Sequence, residues 1–389
     1  MLRSARAAYR YFTDFITAEN NFLPPDNFQE HIGTPARQTS PTNIGLALLA
    51  PIAAVELRLT NQRAATALIG AMLRSVERLP KWRGHLYNWY DVRTARVAQP
   101  RFISAVDSGN FAVCLAALES ALIEYGEQPL AERAARLYRD MDFTALYDKN
   151  RQLFLVGAGG TAVYDRMASE TVLTSFIAIA RGEAPVRHWR ALSRAAVRVG
   201  GRRGMASWTG TMFEYLMPML FLPYYERSLL RAAASVCVYA HKKAAGRSPW
   251  GSSESAYFEY DERGGYKYKA HGAASIAVRR GMERDAVIAP YAGQLAVELD
   301  PGGATANLRR LEKLGAFGRY GFMDAVDFTR RRVGKTPKLV PIYMAHHIGM
   351  GLIATANYLS DGVFRRYFMS RRETEAFCEL LEERAPDAP

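Results

Sequence analysis

Cysteine is scarce. Cys114, Cys237 and Cys378 are the only three, they stand far apart, and no Cys-x-x-Cys pair occurs. An odd, scattered set builds neither a zinc knuckle nor a disulfide framework, and it fits a reducing compartment. Long apolar runs are missing too. The longest, 44–55, is closed by Glu56 and Arg58 and falls short of the ~20 residues that a bilayer crossing needs. The opening Met1-Leu2-Arg3-Ser4-Ala5-Arg6 leads into Tyr9-Arg10-Tyr11 with no apolar stretch of the signal-peptide kind. The expectation is a chain that is not inserted in a membrane and works in the cytoplasm. Nucleotide fingerprints are absent as well: Gly157-Ala158-Gly159-Gly160 is no Gly-x-Gly-x-x-Gly and reads as a loop. Gly251-Ser252-Ser253-Glu254-Ser255 lacks the final glycine of a nucleophile elbow. His346 and His347 are adjacent, so on a helix they point about 100° apart and share one ion poorly. We therefore expect neither cofactor nor metal, with one of the two histidines lining a polar cleft. No Lys/Arg block exceeds three residues, although 51 basic against 38 acidic side chains leave a net charge of +13. That sign favours acidic partners in principle. Its dispersion reads as a solvated basic surface, and no nucleic-acid partner is expected.

What is present is helical periodicity. With 389 residues, 49% hydrophobic and 23% charged, the chain can hold two ordinary domains or one large closed architecture. Apolar residues recur at three- and four-residue steps over 42–59, 61–79, 108–125, 129–146, 169–181, 186–199, 211–220, 227–243, 289–299, 301–314, 341–360 and 371–384. Strand-like pieces are few, at 153–156 and 265–268. Roughly a dozen helices in consecutive antiparallel pairs can close into a double ring whose connecting loops form a cleft at one end. No Ser/Gly-rich linker divides the chain, so one domain over 1–389 is expected. The tail Ala385-Pro386-Asp387-Ala388-Pro389 reads as an unstructured end or a cut linker.

The loops between these helices mix acids with aromatics. Pro249-Trp250-Gly251-Ser252-Ser253-Glu254-Ser255-Ala256-Tyr257 holds one carboxylate among small hydroxyls and two aromatics. Gly84-His85-Leu86-Tyr87-Asn88-Trp89-Tyr90-Asp91, Asp107-Ser108-Gly109-Asn110 and Tyr164-Asp165-Arg166-Met167-Ala168-Ser169-Glu170 share that texture. Sugar clefts need this mixture: aromatic faces stack on pyranose rings, and carboxylates bond hydroxyls or attack the anomeric carbon. Each acid also has a plainer reading. Glu170 and Glu254 each follow serines at an expected helix start, where a first-turn acid is favoured by the helix dipole. Asp107 could cap the next helix, and Asp91 could be a turn acid. Glu214, inside an apolar helix after Trp208, must find a donor, which a structural hydrogen bond or a ligand would supply equally well.

Several long phrases resemble one family. Phe22-Leu23-Pro24-Pro25-Asp26-Asn27-Phe28-Gln29-Glu30, Thr39-Ser40-Pro41-Thr42-Asn43-Ile44-Gly45-Leu46 and Val106-Asp107-Ser108-Gly109-Asn110 look like the glucoamylase-like middle region of cyclic β-1,2-glucan synthases. So do Trp208-Thr209-Gly210-Thr211-Met212-Phe213-Glu214-Tyr215, Trp250-Gly251-Ser252-Ser253-Glu254-Ser255-Ala256-Tyr257, Val287-Ile288-Ala289-Pro290-Tyr291 and Tyr343-Met344-Ala345-His346-His347. The resemblance runs from about residue 8 to residue 385. It implies an all-α (α/α)6 toroid with short β-hairpins in its loops, acting on β-1,2-glucan. It further implies a retaining transglycosylase that closes linear β-1,2-glucan into rings, with the nucleophile falling on Glu254 and the acid/base on Glu170. Trp89, Tyr90, Asp91, Asp107, Asn110, Asp165, Trp208, Glu214, Trp250, Tyr257, His346 and His347 are the expected sugar contacts. The partners implied are β-1,2-glucan and the other domains of a larger, membrane-bound synthase. An endo-β-1,2-glucanase on the same fold and a non-catalytic glucan-binding domain are the rival readings. Three positions depart from the family pattern: Ser252 stands where Ile is usual, Lys269-Ala270-His271-Gly272-Ala273-Ala274-Ser275 replaces a more apolar phrase, and Ile348 replaces a Gln after the paired histidines.

Overall fold

The computed structural model describes residues 1–384; the tail from Ala385 to Pro389 lies outside the described residues. Its helices are α1 (Leu2–Phe15), α2 (Pro41–Glu56), α3 (Gln62–Arg78), α4 (Ala105–Glu124), α5 (Gln128–Arg139), α6 (Val172–Ala180), α7 (Arg187–Ala191), α8 (Met212–Leu216), α9 (Leu229–Ala245), α10 (Pro290–Leu295), α11 (Pro301–Lys313), α12 (Arg330–Val333), α13 (Ala345–Leu359), α14 (Val363–Met369) and α15 (Arg372–Glu375).

Two kinds alternate. Every residue of α6, α8 and α10 is buried, as are Pro41 to Ala54 of α2 and nearly all of α13. A helix that is apolar around its circumference belongs inside. α5 is of the other kind: it buries Ala131, Ala134, Ala135, Leu137 and Tyr138 and leaves Glu132 and Arg136 outside. The buried helices touch one another, α13 on α2, α2 on α4, α4 on α6, and α10 on both α8 and α13. The half-buried ones lie against them, α1 on α13, α3 on α2, α5 on α4, α9 on α8 and α11 on α10. By length and composition α4 could cross a membrane, but 78% of its most apolar window is buried in the fold. It is the helix at the middle of the core. At its start, Gly109 lets α6 come close, because a Cβ there would lie 2.0 Å from Thr174 Oγ1.

The structure corrects the expected outline in places. α1 and α14 were not foreseen; in α1 the apolar stripe is made of Ala, Tyr and Phe between arginines. The helix expected over 186–199 ends at Ala191, and Ala196–Val199 pairs with Arg202–Met205 as a hairpin. The one expected over 341–360 begins at Ala345, since Ile342–Met344 is a strand paired with Asn27–Gln29. The one expected over 371–384 is reduced to α15 and a short 3-10 turn, Cys378–Glu382. Strands are also more numerous than the two pieces expected. Among the described residues they form small sheets of two or three strands in the loops. The fold is therefore helix-rich rather than purely helical.

Candidate active site

One hairpin presents Glu254. Strands Glu254–Tyr260 and Tyr266–Ala270 pair antiparallel with Glu254 opposite Ala270 and Ala256 opposite Tyr268. Side chains alternate along a strand, so Glu254, Ala256, Tyr268 and Ala270 share one face. Ser253 and Ser255 point the other way and are buried. Ser253 Oγ accepts the Phe213 N–H at 3.0 Å and the Tyr291 hydroxyl at 2.8 Å. Tyr291 also donates to the Glu254 carbonyl at 2.9 Å. Ser253 pins the strand, and the acid beside it faces out. Glu254 is thus the first residue of a strand, not near a helix start. Glu170 likewise lies outside a helix. It sits in the turn before α6, whose N-cap is Thr171. Ser169 is not the N-cap of α6; its hydroxyl donates to Glu170 Oε2 at 3.2 Å and accepts the Thr171 N–H at 3.2 Å, within the preceding turn.

Both carboxyls line one cleft of about 590 Å³, with Trp89, Asp107, Asn110, Tyr164, Tyr268 and His346 among its walls. Burial is the main cause that raises both above an ordinary carboxyl, Glu170 to about 8 and Glu254 to about 7. The Glu214 charge adds to both, Glu254 adds to Glu170, and Asp107 adds to Glu254. Two carboxyls of unlike proton affinity in one cleft can act as an acid and an anion at the same pH.

Residues 162–372, more than half of the chain and carrying both glutamates, match the sequence profile of the family described as "Putative glucoamylase". The chain belongs to this glucoamylase-like family. Cyclic beta-(1,2)-glucan synthase NdvB of Rhizobium meliloti (strain 1021) is 32% identical over 528 aligned residues, covering 99% of this chain. The chain spans only 18% of that relative's length. Two solved structures share the fold. The endo-beta-1,2-glucanase from Chitinophaga pinensis, in complex with sophorotriose and glucose, has a TM-score of 0.81 at 16% identity, over 98% of this chain and 97% of that one. The endo-beta-1,2-glucanase from Talaromyces funiculosus, in complex with sophorose, has a TM-score of 0.79 at 15% identity, over 97% and 86%.

Within this glucoamylase-like frame the expected sugar contacts separate into two groups. Trp89, Asp107, Asn110 and His346 line the cleft with the two glutamates. Asp107 accepts the Thr42 hydroxyl at 2.7 Å, and Asn110 Nδ2 donates to the same oxygen at 3.2 Å. Asn110 Oδ1 is buried without a partner among the described residues. The cap of α4 is Ser104, which frees Asp107 for the cleft.

The others lie elsewhere. Tyr90 is wholly buried and its hydroxyl donates to the Pro80 carbonyl at 2.5 Å. Asp91 pairs with Arg37 at 2.9 Å and holds the turn at Arg93 and Thr94. Asp165 pairs with its neighbour Arg166 at 3.3 Å, and Arg166 lies over the Trp208 ring at 5.2 Å. Trp250 is buried, with its backbone clasped by Asn307, and borders a separate cavity of about 860 Å³. Tyr257 lies under Lys269 and Arg332. Glu214 stands behind the cleft at N3 of α8, where it forms a capping box with Thr211 and accepts from Ser207 and Thr209. His347 is buried, 2.5 Å from Asp324 and stacked on Tyr291 at 3.8 Å.

Ser252 and the 272–275 stretch border the second cavity. His271 is buried against Asp285 at 3.7 Å, and burial lowers its pKa to about 4. Ile348 lies inside the fold beside Tyr291 and Met344. Sequence reasoning missed Tyr268, Asp324 and Asp26. Tyr268 had a signal, since it ends the strand-like piece 265–268. Asp26 stood inside a family phrase with no role attached.

Proposed function

We propose that this chain cleaves internal β-1,2-glucosidic bonds with retention and passes the glycosyl group to a sugar hydroxyl, closing linear β-1,2-glucan into a ring. The observation that carries the reading is the pair Glu170 and Glu254 in one cleft, with the proton held more tightly on Glu170. In the first half Glu254 attacks the anomeric carbon, the bond to the leaving oxygen breaks, and that oxygen takes the Glu170 proton. In the second half an acceptor hydroxyl attacks the same carbon. The ester bond breaks, its electron pair returns to Glu254, and Glu170 takes the hydroxyl proton. Trp89 offers a stacking face, while Asp107, Asn110 and His346 offer polar contacts to sugar hydroxyls.

The alternation of buried and half-buried helices supports an (α/α)6 toroid that forms one domain. The synthase relative, of which this chain spans 18%, supports a place for this domain within a larger enzyme; that this enzyme is membrane-bound, with the domain on the cytoplasmic side, belongs to the same proposal. The test is incubation with linear β-1,2-glucan, followed by mass spectrometry and anomer analysis by NMR. Cyclic products lost in both Glu254→Gln and Glu170→Gln support the reading. Linear products of inverted configuration would replace it with a hydrolase, and unchanged turnover in both variants would leave only glucan binding.

A further inference from the structure

The reading above asks opposite things of two neighbouring carboxyls: Glu170 must keep a proton and Glu254 must lose one. Burial and Glu214 act on both in the same sense, so some group must single out Glu254. The Tyr268 hydroxyl is placed to do so. It lies 3.4 Å from Glu254 Oε2, 3.3 Å from His347 Nε2 and 3.5 Å from His346 Nε2. One O–H therefore faces three acceptors at nearly equal distance, and such long contacts tighten when substrate fills a site.

The proton positions follow from the outer partners. Asn43 Nδ2 donates to Asp26 at 2.8 Å, which turns the Asn43 amide oxygen toward His346 Nδ1 at 3.2 Å. His346 thus carries its proton on Nδ1 and aims a lone pair at Tyr268. His347 Nδ1 lies 2.5 Å from Asp324 Oδ1, and the other Asp324 oxygen accepts the Ala256 N–H at 2.6 Å. That amide belongs to the strand that carries Glu254, so the Asp324–His347 pair is tied to the same hairpin. Stacking on Tyr291, 13° from parallel, fixes the His347 ring. Burial keeps both imidazoles neutral.

We propose that Tyr268 is the positioning residue for Glu254: its hydroxyl donates to the free carboxylate and turns to the His346–His347 pair while that carboxylate is bonded to sugar. The proton follows the charge. It stabilises Glu254 as nucleophile before the first transfer and as leaving group in the second. The histidines then serve Tyr268 more than they serve the substrate. This rests on Glu254 being the nucleophile.

The test is Tyr268→Phe. The groups that face Glu254 are the carboxyls Glu214, Asp107 and Glu170 and the phenols Tyr164, Tyr268 and Tyr291, and the variant changes one of them. The expected result is a shift of the acid limb of kcat/KM on β-1,2-glucan to higher pH, with kcat down on the order of tenfold or more. A 13C NMR titration of the Glu254 carboxyl, assigned with Glu254→Gln, reads the same shift without turnover. An unmoved Glu254 titration in Tyr268→Phe overturns the proposal. Azide rescue of Glu254→Gly to a glycosyl azide reports separately on the nucleophile. Failed rescue with a shifted titration would reject the function and keep the hydrogen bond.

Discussion

The Glu214 carboxylate accepts from the hydroxyls of Ser207, Thr209 and Thr211 at 2.7–2.9 Å and from the Thr209 and Thr211 amides. These donors hold a negative charge in the wall behind the cleft, where it raises both Glu170 and Glu254. A pH window follows. On the proposed mechanism, activity should rise as Glu254 loses its proton, near 7, and fall as Glu170 loses its own, near 8. The expected kcat/KM profile is a narrow bell whose two limbs belong to the coupled pair. Glu214→Gln removes the charge that raises both, so both limbs should move to lower pH. Stability should fall by about 1–3 kcal/mol, because donors arranged for a carboxylate now meet an amide N–H. Limbs that stay in place would show that Glu214 only caps α8.

At the contact of α4 with α6, a Cβ on Gly109 would lie 2.0 Å from Thr174 Oγ1 and 2.8 Å from Thr174 Cα. Gly109→Val should therefore force the helices apart, at about 1–3 kcal/mol or more in chemical denaturation. Activity should fall as well, since Asp107 and Asn110 ride on the same turn of α4. A variant of wild-type stability would refute the close packing. The apolar helices were legible in the sequence because a helix carries its own period. Two small strands were legible as well, at 153–156 and 265–268; others were not, because a partner far along the chain makes them: Asn27–Gln29 is a strand only against Ile342–Met344. Site residues failed by the same geometry. Tyr90 follows Trp89 on a strand, so one faces the cleft and the other the core. Tyr257 is three residues from Glu254 on a strand and points to the opposite face. Nearness in sequence grouped aromatics with acids, and the pleat separated them. Glu170 and Glu254 were legible through family phrases; that both line one cleft required the fold.

Distant parts of the chain are joined across the whole molecule. α1 lies against α13 and buries Tyr11 and Phe12 completely. Gln294 donates to the Ser4 hydroxyl at 3.1 Å, Arg194 pairs with Glu383, and Ser228 bridges to Arg384. A chain held at both ends in this way should unfold as one unit, with calorimetric and van't Hoff enthalpies equal. The enthalpy should be about 0.7 kcal/mol per residue near 60 °C. Deleting residues 1–16 tests this most directly. It strips α13 of its cover and removes Tyr11, Phe12 and Ile16, large buried side chains worth about 1.5–3 kcal/mol each. That loss is comparable to the ~5–15 kcal/mol that holds a whole domain together. The truncated chain should lose its single transition and its activity together. A truncated protein that melts in two steps, with one near the original temperature, would instead divide the molecule into separate domains.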